Sequence, residues 1–264
     1  MTRREYDNVT VAVIIQNIGG DLRLRGRPGD RLLVDGEGVD VQQLGEGQPY
    51  VVRCGGDARI IVPEAIAVSV QQVGGDAKIT EINGDLDINA IGGDLVVRSV
   101  DGVQIKTIGG DLRLKRASGP VTIDNIGSDA TIRDIDGDVW VTDIGSDLYL
   151  RNIEGNCVVE NVGSDLVLNI NFQSETEYRF GAGSDILCRI QENADVTFIL
   201  PPDTEITLDI DAEVNENDEG MKSITLGEGR ATVDITGANS LRLVGEDEDY
   251  MINFGVQIEE ELEA

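Results

Sequence analysis

Apolar and polar residues alternate along this chain in short runs. Leu112 and Leu114 enclose Arg113, with Lys115 following, and Val121 and Ile123 enclose Thr122, with Asp124 following. A period of two describes strands, whose side chains point to opposite faces in turn. The runs are rich in Val, Ile and Leu, the residues that fit a pleated surface. Each is bounded by glycine. An apolar residue followed by Gly-Gly-Asp or Gly-Ser-Asp recurs at Gly19, Gly55, Gly74, Gly92, Gly109, Gly127, Gly145, Gly163 and Gly183. From Gly55 the steps are 19, 18, 17, 18, 18, 18 and 20 residues. The gap of 36 before Gly55 equals two steps, and the degenerate turn Asp35-Gly36-Glu37-Gly38 stands near its midpoint, so it reads as one more coil.

A weaker turn falls halfway through each unit, at Asn83-Gly84-Asp85, Asp101-Gly102, Ser118-Gly119, Asp136-Gly137-Asp138 and Glu154-Gly155-Asn156. The elementary unit is therefore a strand and a turn, and two units make one coil. A fixed period of this size marks a repeat architecture. The predicted fold is all-β: a single parallel β-solenoid, or β-helix, of about 18 residues per coil, right-handed, with an irregular C-terminal end. Stacked coils place Leu95, Leu112, Ala130, Leu148 and Leu166 in one interior ladder and Ile91, Ile108, Ile126, Ile144 and Val162 in another. No coil buries these faces alone, so stability comes from the stack. At roughly 4.8 Å per coil, about a dozen coils make a rod on the order of 60 Å long.

After Arg189 the period loosens. Alternation persists at 196–200, 205–210, 223–226, 231–235 and 241–244, but the turns lengthen at Pro201-Pro202 and across the acidic stretch 215–220. The expected organisation is a regular solenoid with an N-terminal cap over 1–191, then irregular coils and a C-terminal cap over 192–264. The alternative is a separate small β domain from about residue 192. Residues 258–263 are expected to form a short terminal helix or a frayed end.

Composition sharpens this picture. Hydrophobic residues make up 40% of the chain but aromatics only 4%, which suits thin aliphatic layers better than a rounded interior. With 50 acidic and 21 basic residues the net charge is −29, which argues against binding nucleic acid or an anionic membrane with the whole surface. Histidine is absent, so the commonest general base and metal ligand is missing and a non-enzyme is expected. No stretch approaches the roughly 20 apolar residues of a membrane span. No secretory signal is evident at 1–15, so a cytoplasmic location is expected. Cys54, Cys157 and Cys188 have no metal-type spacing and fall at inward positions, which makes them reduced core residues.

The repeated I-G-G-D-L-x-L and I-x-G-D-L-x-I units resemble the bacterial β-strand-repeat domains of unknown function of the adhesin type, and more distantly the bactofilins. The likeness covers residues 14–190, and more loosely the turn Leu200-Pro201-Pro202-Asp203-Thr204 and the segment Gly237-Ala238-Asn239-Ser240-Leu241. It implies a β-solenoid. The bactofilin likeness implies self-assembly through solenoid ends; this chain departs from it in a longer repeat tract and in its Gly-Asp punctuation.

Three constellations are candidates for function. The turn aspartates, among them Asp94, Asp111, Asp129, Asp147 and Asp165, stack in a column. Such a column is either a row of calcium sites or, by preference, a set of carboxylates accepting turn N–H groups. Calcium-binding nonapeptide repeats share the glycines and the period, but their G-G-x-G-x-D pattern is absent. Ten of the 21 basic residues follow the Gly-Gly-Asp or Gly-Ser-Asp turns at outward positions: Arg23, Arg25, Arg59, Lys78, Arg98, Arg113, Lys115, Arg133, Arg151 and Arg189. The opposite half-coils present Asp87, Gln104, Asp124, Trp140 and Glu160, so the rod is expected to be electrically two-faced. A basic ladder suits an acidic protein partner or self-association; alternatively it pairs with local carboxylates such as Asp134 and Glu154 and keeps the sheet soluble. Aromatics do not interleave with the cations as nucleic-acid stacking requires. Trp140 and Tyr149, with Val158 and Val167, are expected to be exposed apolar residues, in two small patches on opposite faces.

No cofactor or metal is called for. The leading expectation is a non-catalytic scaffold. The alternatives are a calcium-dependent adhesin at a surface and a carbohydrate-active β-helix enzyme using paired carboxylates. The enzyme alternative lacks the long loops and aromatic platforms such sites need, since residues 74–165 hold neither.

Overall fold

A computed structural model describes residues 2–43 and 45–245; the element expected at 258–263 lies outside them. The described residues form strands and turns without a helix, and the strands fall into two long sheets of 13 and 14 strands. From Ala58–Pro63 to Glu205–Leu208 successive strands go to opposite sheets. Leu95–Val100 lies in one, Val103–Ile108 in the other, and Leu112–Ala117 returns to the first. One coil is thus two strands and two turns, as expected of a β-solenoid. We call the sheet whose regular strands follow the Gly-Gly-Asp and Gly-Ser-Asp turns sheet A, and the other sheet B.

Along the regular tract the pairing is parallel and in register. In sheet A, Leu95 lies opposite Leu112, Leu112 opposite Ala130, Ala130 opposite Leu148 and Leu148 opposite Leu166. In sheet B, Ile91, Ile108, Ile126, Ile144 and Val162 stand in line. Both interior ladders are buried, together with all three cysteines, whose thiols are free. Parallel register with identical or similar residues in line lets each side chain pack on its equivalent one coil away, which is why aliphatic residues suffice.

Alternation is not strict, contrary to the reading of the sequence. The first, third and sixth residues of a regular strand point inward, so the fourth and fifth both face outward; Leu112, Leu114 and Ala117 show the pattern. In sheet A the fifth residue takes a left-handed backbone at Glu81, Ser99, Arg116, Asp134 and Asn152, with φ between 51° and 63°. Five such residues in line turn the strand at one level of the stack, so that the sixth side chain regains the core.

The glycines of the repeat serve close approach. The first glycine of each turn is not among those with positive φ. A Cβ on Gly92 would strike the carbonyl oxygen of Gly74, and one on Gly109 that of Gly92, nearer than any real side chain sits. The main chains of successive turns lie directly on one another, and a side chain there would push the coils apart.

The ends depart from sequence order. Leu22–Arg27 pairs on one side with Ala58–Pro63 and on the other with Ala77–Ile82, all parallel. The turns therefore stack in the order Gly55, Gly19, Gly74. The turn at 35–38 is not a coil between Gly19 and Gly55. It lies beyond Gly55, where Gly55 N–H donates to the Glu37 carbonyl at 2.8 Å, and its flanking strands, Leu32–Gly36 and Asp40–Gln43, pair antiparallel with Ala58–Pro63 and Tyr50–Cys54. The other end repeats the device. Ala231–Gly237 lies between Glu177–Gly181 and Val196–Leu200, and Ser240–Gly245 between Asp185–Ile190 and Glu205–Leu208. Both sheets thus continue through the loosened C-terminal sequence. Antiparallel strands Lys222–Leu226 and Glu213–Glu216 extend sheet B there. Aromatics gather at this wider end, with Phe172 edge-on to Tyr178 and Phe198 at centroid distances of 5.0 and 5.5 Å.

Candidate functional site

The turn aspartates form one continuous hydrogen-bonded ladder. A carboxylate oxygen of Asp57 accepts the main-chain N–H of Asp21 at 3.0 Å, and Asp21 in turn accepts that of Asp76 at 3.0 Å. The series runs on through Asp94, Asp111, Asp129, Asp147, Asp165 and Asp185 at 2.9 to 3.3 Å. It closes where the Ser240 hydroxyl donates to Asp185 at 2.9 Å. Each side chain therefore accepts a turn N–H, as the sequence suggested, and the donor belongs to the adjacent coil. One oxygen per carboxylate is committed to this task. The opposite turn shows that charge is not needed for it: the amide oxygen of Asn156 accepts the N–H of Glu177 at 2.8 Å. Burial pushes the Asp165 carboxyl above the usual carboxylate range, and the charges of Asp147 and Asp185 add to the rise against the N–H donated by Asp185. Among the described residues no group of three or more His, Cys, Asp or Glu side chains is arranged to hold a metal ion.

The outer face of sheet A carries the basic residues in two columns. In the second position of the strand, Arg59, Arg23 and Lys78 occupy adjacent strands, and Arg113 stands further along. In the fourth position, Arg98, Lys115, Arg133 and Arg151 occupy four adjacent strands. Arg25 lies nearer the N-terminal end and Arg189 beyond Asn169. Arg98 and Arg189 are each engaged by another group. Arg25 is held by Glu81 at 2.6 Å, which raises its guanidinium pKa, and Arg113 reaches Asp111 only at 4.0 Å. Arg23, Arg59, Lys78, Lys115, Arg133 and Arg151 make no ion pair with a described residue. Asp134, the partner that the alternative reading gave these arginines, accepts the side-chain amide of Asn152 at 2.9 Å. Sheet B presents Asp87, Gln104, Asp124, Trp140 and Glu160 outward and exposed, with Lys106 exposed among them, so acidic side chains outnumber basic ones in this run.

The outward apolar residues divide. Trp140 is exposed at 39%, as expected. Tyr149 is not. It lies on the outer side of sheet A, between inward Leu148 and Leu150, yet is 3% exposed, and Val167 beside it is the same. Val158, at 9%, is nearly buried as well. Alternation places these side chains on an outer face; what covers such a face is a tertiary matter that alternation does not carry.

No family model matches the chain, and no curated protein does. Among solved structures, a "putative cell adhesion protein" from Clostridium sporogenes ATCC 15579 aligns over 92% of this chain and 99% of its own, at 8% identity and a TM-score of 0.21. That similarity is too weak to assign a fold or a function. No helix among the described residues is long and apolar enough to cross a membrane.

Proposed function

We propose that the chain is a single β-solenoid serving as a non-catalytic scaffold, and that the outer face of sheet A binds an acidic protein surface. The observation that carries this reading is the run of Lys115, Arg133 and Arg151 on adjacent strands, with no ion pair to a described residue and with Asp134 engaged by Asn152 instead. Strand spacing sets such cations about 5 Å apart, where like charges repel by about 0.8 kcal/mol even in bulk water. That local repulsion opposes gathering the cations in one column, and an acidic partner relieves it. The acidic outer face of sheet B in a second copy has the required sign.

The ends support binding through the side of the rod. Edge strands Thr2–Tyr6 and Glu213–Glu216 are antiparallel additions, short and charged, which discourages end-to-end pairing of the bactofilin kind. The absence of histidine and the commitment of the aspartate ladder to main-chain donors support a non-catalytic role.

Replacing Arg113, Lys115, Arg133 and Arg151 together by Glu tests the proposal. The variant is expected to fold normally and to lose at least about tenfold in affinity for polyglutamate at low salt, while the parent's binding weakens steadily as salt is raised. Equal binding by both proteins would refute the basic face as a binding surface.

A further inference from the structure

Two aliphatic side chains face outward near the N-terminal end of sheet A. Leu33 and Ile61 stand opposite one another on the antiparallel strands Leu32–Gly36 and Ala58–Pro63, each half-buried between fully buried neighbours. Together with Arg3, Arg59 and residues 27–31 they line a cleft of about 600 Å³. That size falls within the range of small-molecule sites, roughly 300–1,000 Å³. Asp30 and Asp35 also line it, and neither makes an ion pair with a described residue. Arg59 belongs to a second cleft as well, of about 440 Å³, with Arg23, Arg25, Lys78 and Thr80, and no described carboxylate lines this one.

Strand register brings the two together. Asp35, Arg59, Arg23 and Lys78 form one outward row across four adjacent strands, and Leu33, Ile61, Arg25 and Thr80 form the next, two residues away. Strand geometry sets the main chain at Arg59, Arg23 and Lys78 about 5 Å apart, and Ile61 about 7 Å from Arg59. Arg25 is answered by Glu81 at 2.6 Å. Arg59, Arg23 and Lys78 make no ion pair with a described residue, so three like charges stand together unrelieved.

This environment selects a chemistry. A lone carboxylate answers one charge of the three. A phosphate monoester carries nearly two charges above neutral pH and three acceptor oxygens, which guanidinium forks and an ammonium can share. The Thr80 hydroxyl adds a donor in the same cleft. Inorganic phosphate would leave Leu33 and Ile61 in water, whereas a ligand with an apolar body covers them. We propose that this end of sheet A binds a small organic phosphate, its phosphate among Arg59, Arg23 and Lys78 and its apolar body on Ile61 and Leu33. Strand Leu95–Val100, with Val96 in the cation row, separates the site from Arg113 and the column beyond it. The site therefore stands whether or not that column binds a protein.

Calorimetric titration of the full chain at low salt and slightly alkaline pH tests it. Naphthyl phosphate is expected to bind at least tenfold more tightly than inorganic phosphate, and neutral naphthol not measurably. Arg59→Gln and Lys78→Gln replace exposed side chains and are expected to melt like the parent, yet each to lose at least tenfold for both phosphates. Ile61→Asn is expected to leave inorganic phosphate unchanged and to bring naphthyl phosphate down to it. The variant with Arg113, Lys115, Arg133 and Arg151 replaced by Glu is expected to keep the tenfold preference for naphthyl phosphate, which separates this site from the basic column. Equal affinity of the parent for the two phosphates, undiminished binding by Arg59→Gln, or loss of the preference in the fourfold variant would overturn the proposal. Displacement of naphthyl phosphate by polyglutamate would assign these cations to the acidic protein partner and overturn it as well.

Discussion

The main-chain N–H of Asp21 donates to the carboxylate of Asp57 at 3.0 Å, across a separation of 36 residues, while Asp21 itself accepts from Asp76. One residue thus fastens its coil to both neighbours, with its main-chain N–H on one side and its carboxylate on the other, and it does so with the coils out of sequence order.

What the ladder needs is an oxygen, not a charge. Asp129 accepts the N–H of Asp147 at 3.1 Å. Asp129→Asn keeps an acceptor and removes repulsion along the column, so its unfolding midpoint in denaturant is expected to equal or exceed the parent's. Asp129→Ala strands the Asp147 N–H and is expected to cost about 1–3 kcal/mol. Equal losses for the two variants would show that the ladder is electrostatic in origin.

Asp165 gives that prediction a pH dependence. Its carboxyl is raised by burial and by its charged neighbours, so the folded chain holds this proton more tightly than the unfolded one. The stabilisation is complete below the ordinary carboxylate pKa of about 3.9 and is lost as pH rises through the higher folded value. Asp165→Asn has no such loss. Its stability relative to the parent is therefore expected to improve between pH 4 and pH 7, measured by denaturation at both; a gap that narrows or reverses would rule out burial of the carboxylate as the cause.

Two glycines in the same motif should behave differently. A Cβ at Gly109 collides with the main chain of Gly92, whereas one at Gly55, in the outer coil, approaches only the Glu37 carbonyl at 3.8 Å. Gly109→Ala is expected to cost about 1–3 kcal/mol as overpacking does. Gly55→Ala should stay within about 0.5 kcal/mol of the parent. Thermal melts of both variants decide it, and comparable losses would place Gly55 inside the stack.

Ile126 is fully buried between Ile108 and Ile144. Ile126→Asp puts an unpaired charge between coils and is expected to abolish cooperative unfolding. A variant that melts like the parent would mean that the register is wrong.

Calcium is expected to leave the melting temperature unchanged at millimolar concentration, because one oxygen of each ladder aspartate is occupied by a main-chain donor. A site filled at a hundred times its Kd would add about 2.7 kcal/mol, a shift that calorimetry would not miss.

The sequence by itself determined the coil: its length of about 18 residues, its two strands, the inward ladders through Leu112 and Ile126, the buried cysteines and the sidedness of charge. These follow from periodicity, which sets side-chain direction within a strand regardless of its neighbours. Tertiary structure alone decided which coils touch. The Gly19, Gly55 and Gly74 turns carry the same Gly-Gly-Asp surface, so each can stack on any other, and only the antiparallel strands beside Ala58–Pro63 set the order Gly55, Gly19, Gly74. It also decided exposure on the outer face. Tyr149 and Arg151 both point outward from the same strand, yet one is buried and the other exposed, because burial on an outer face is set by tertiary packing and not by the alternation that aims them.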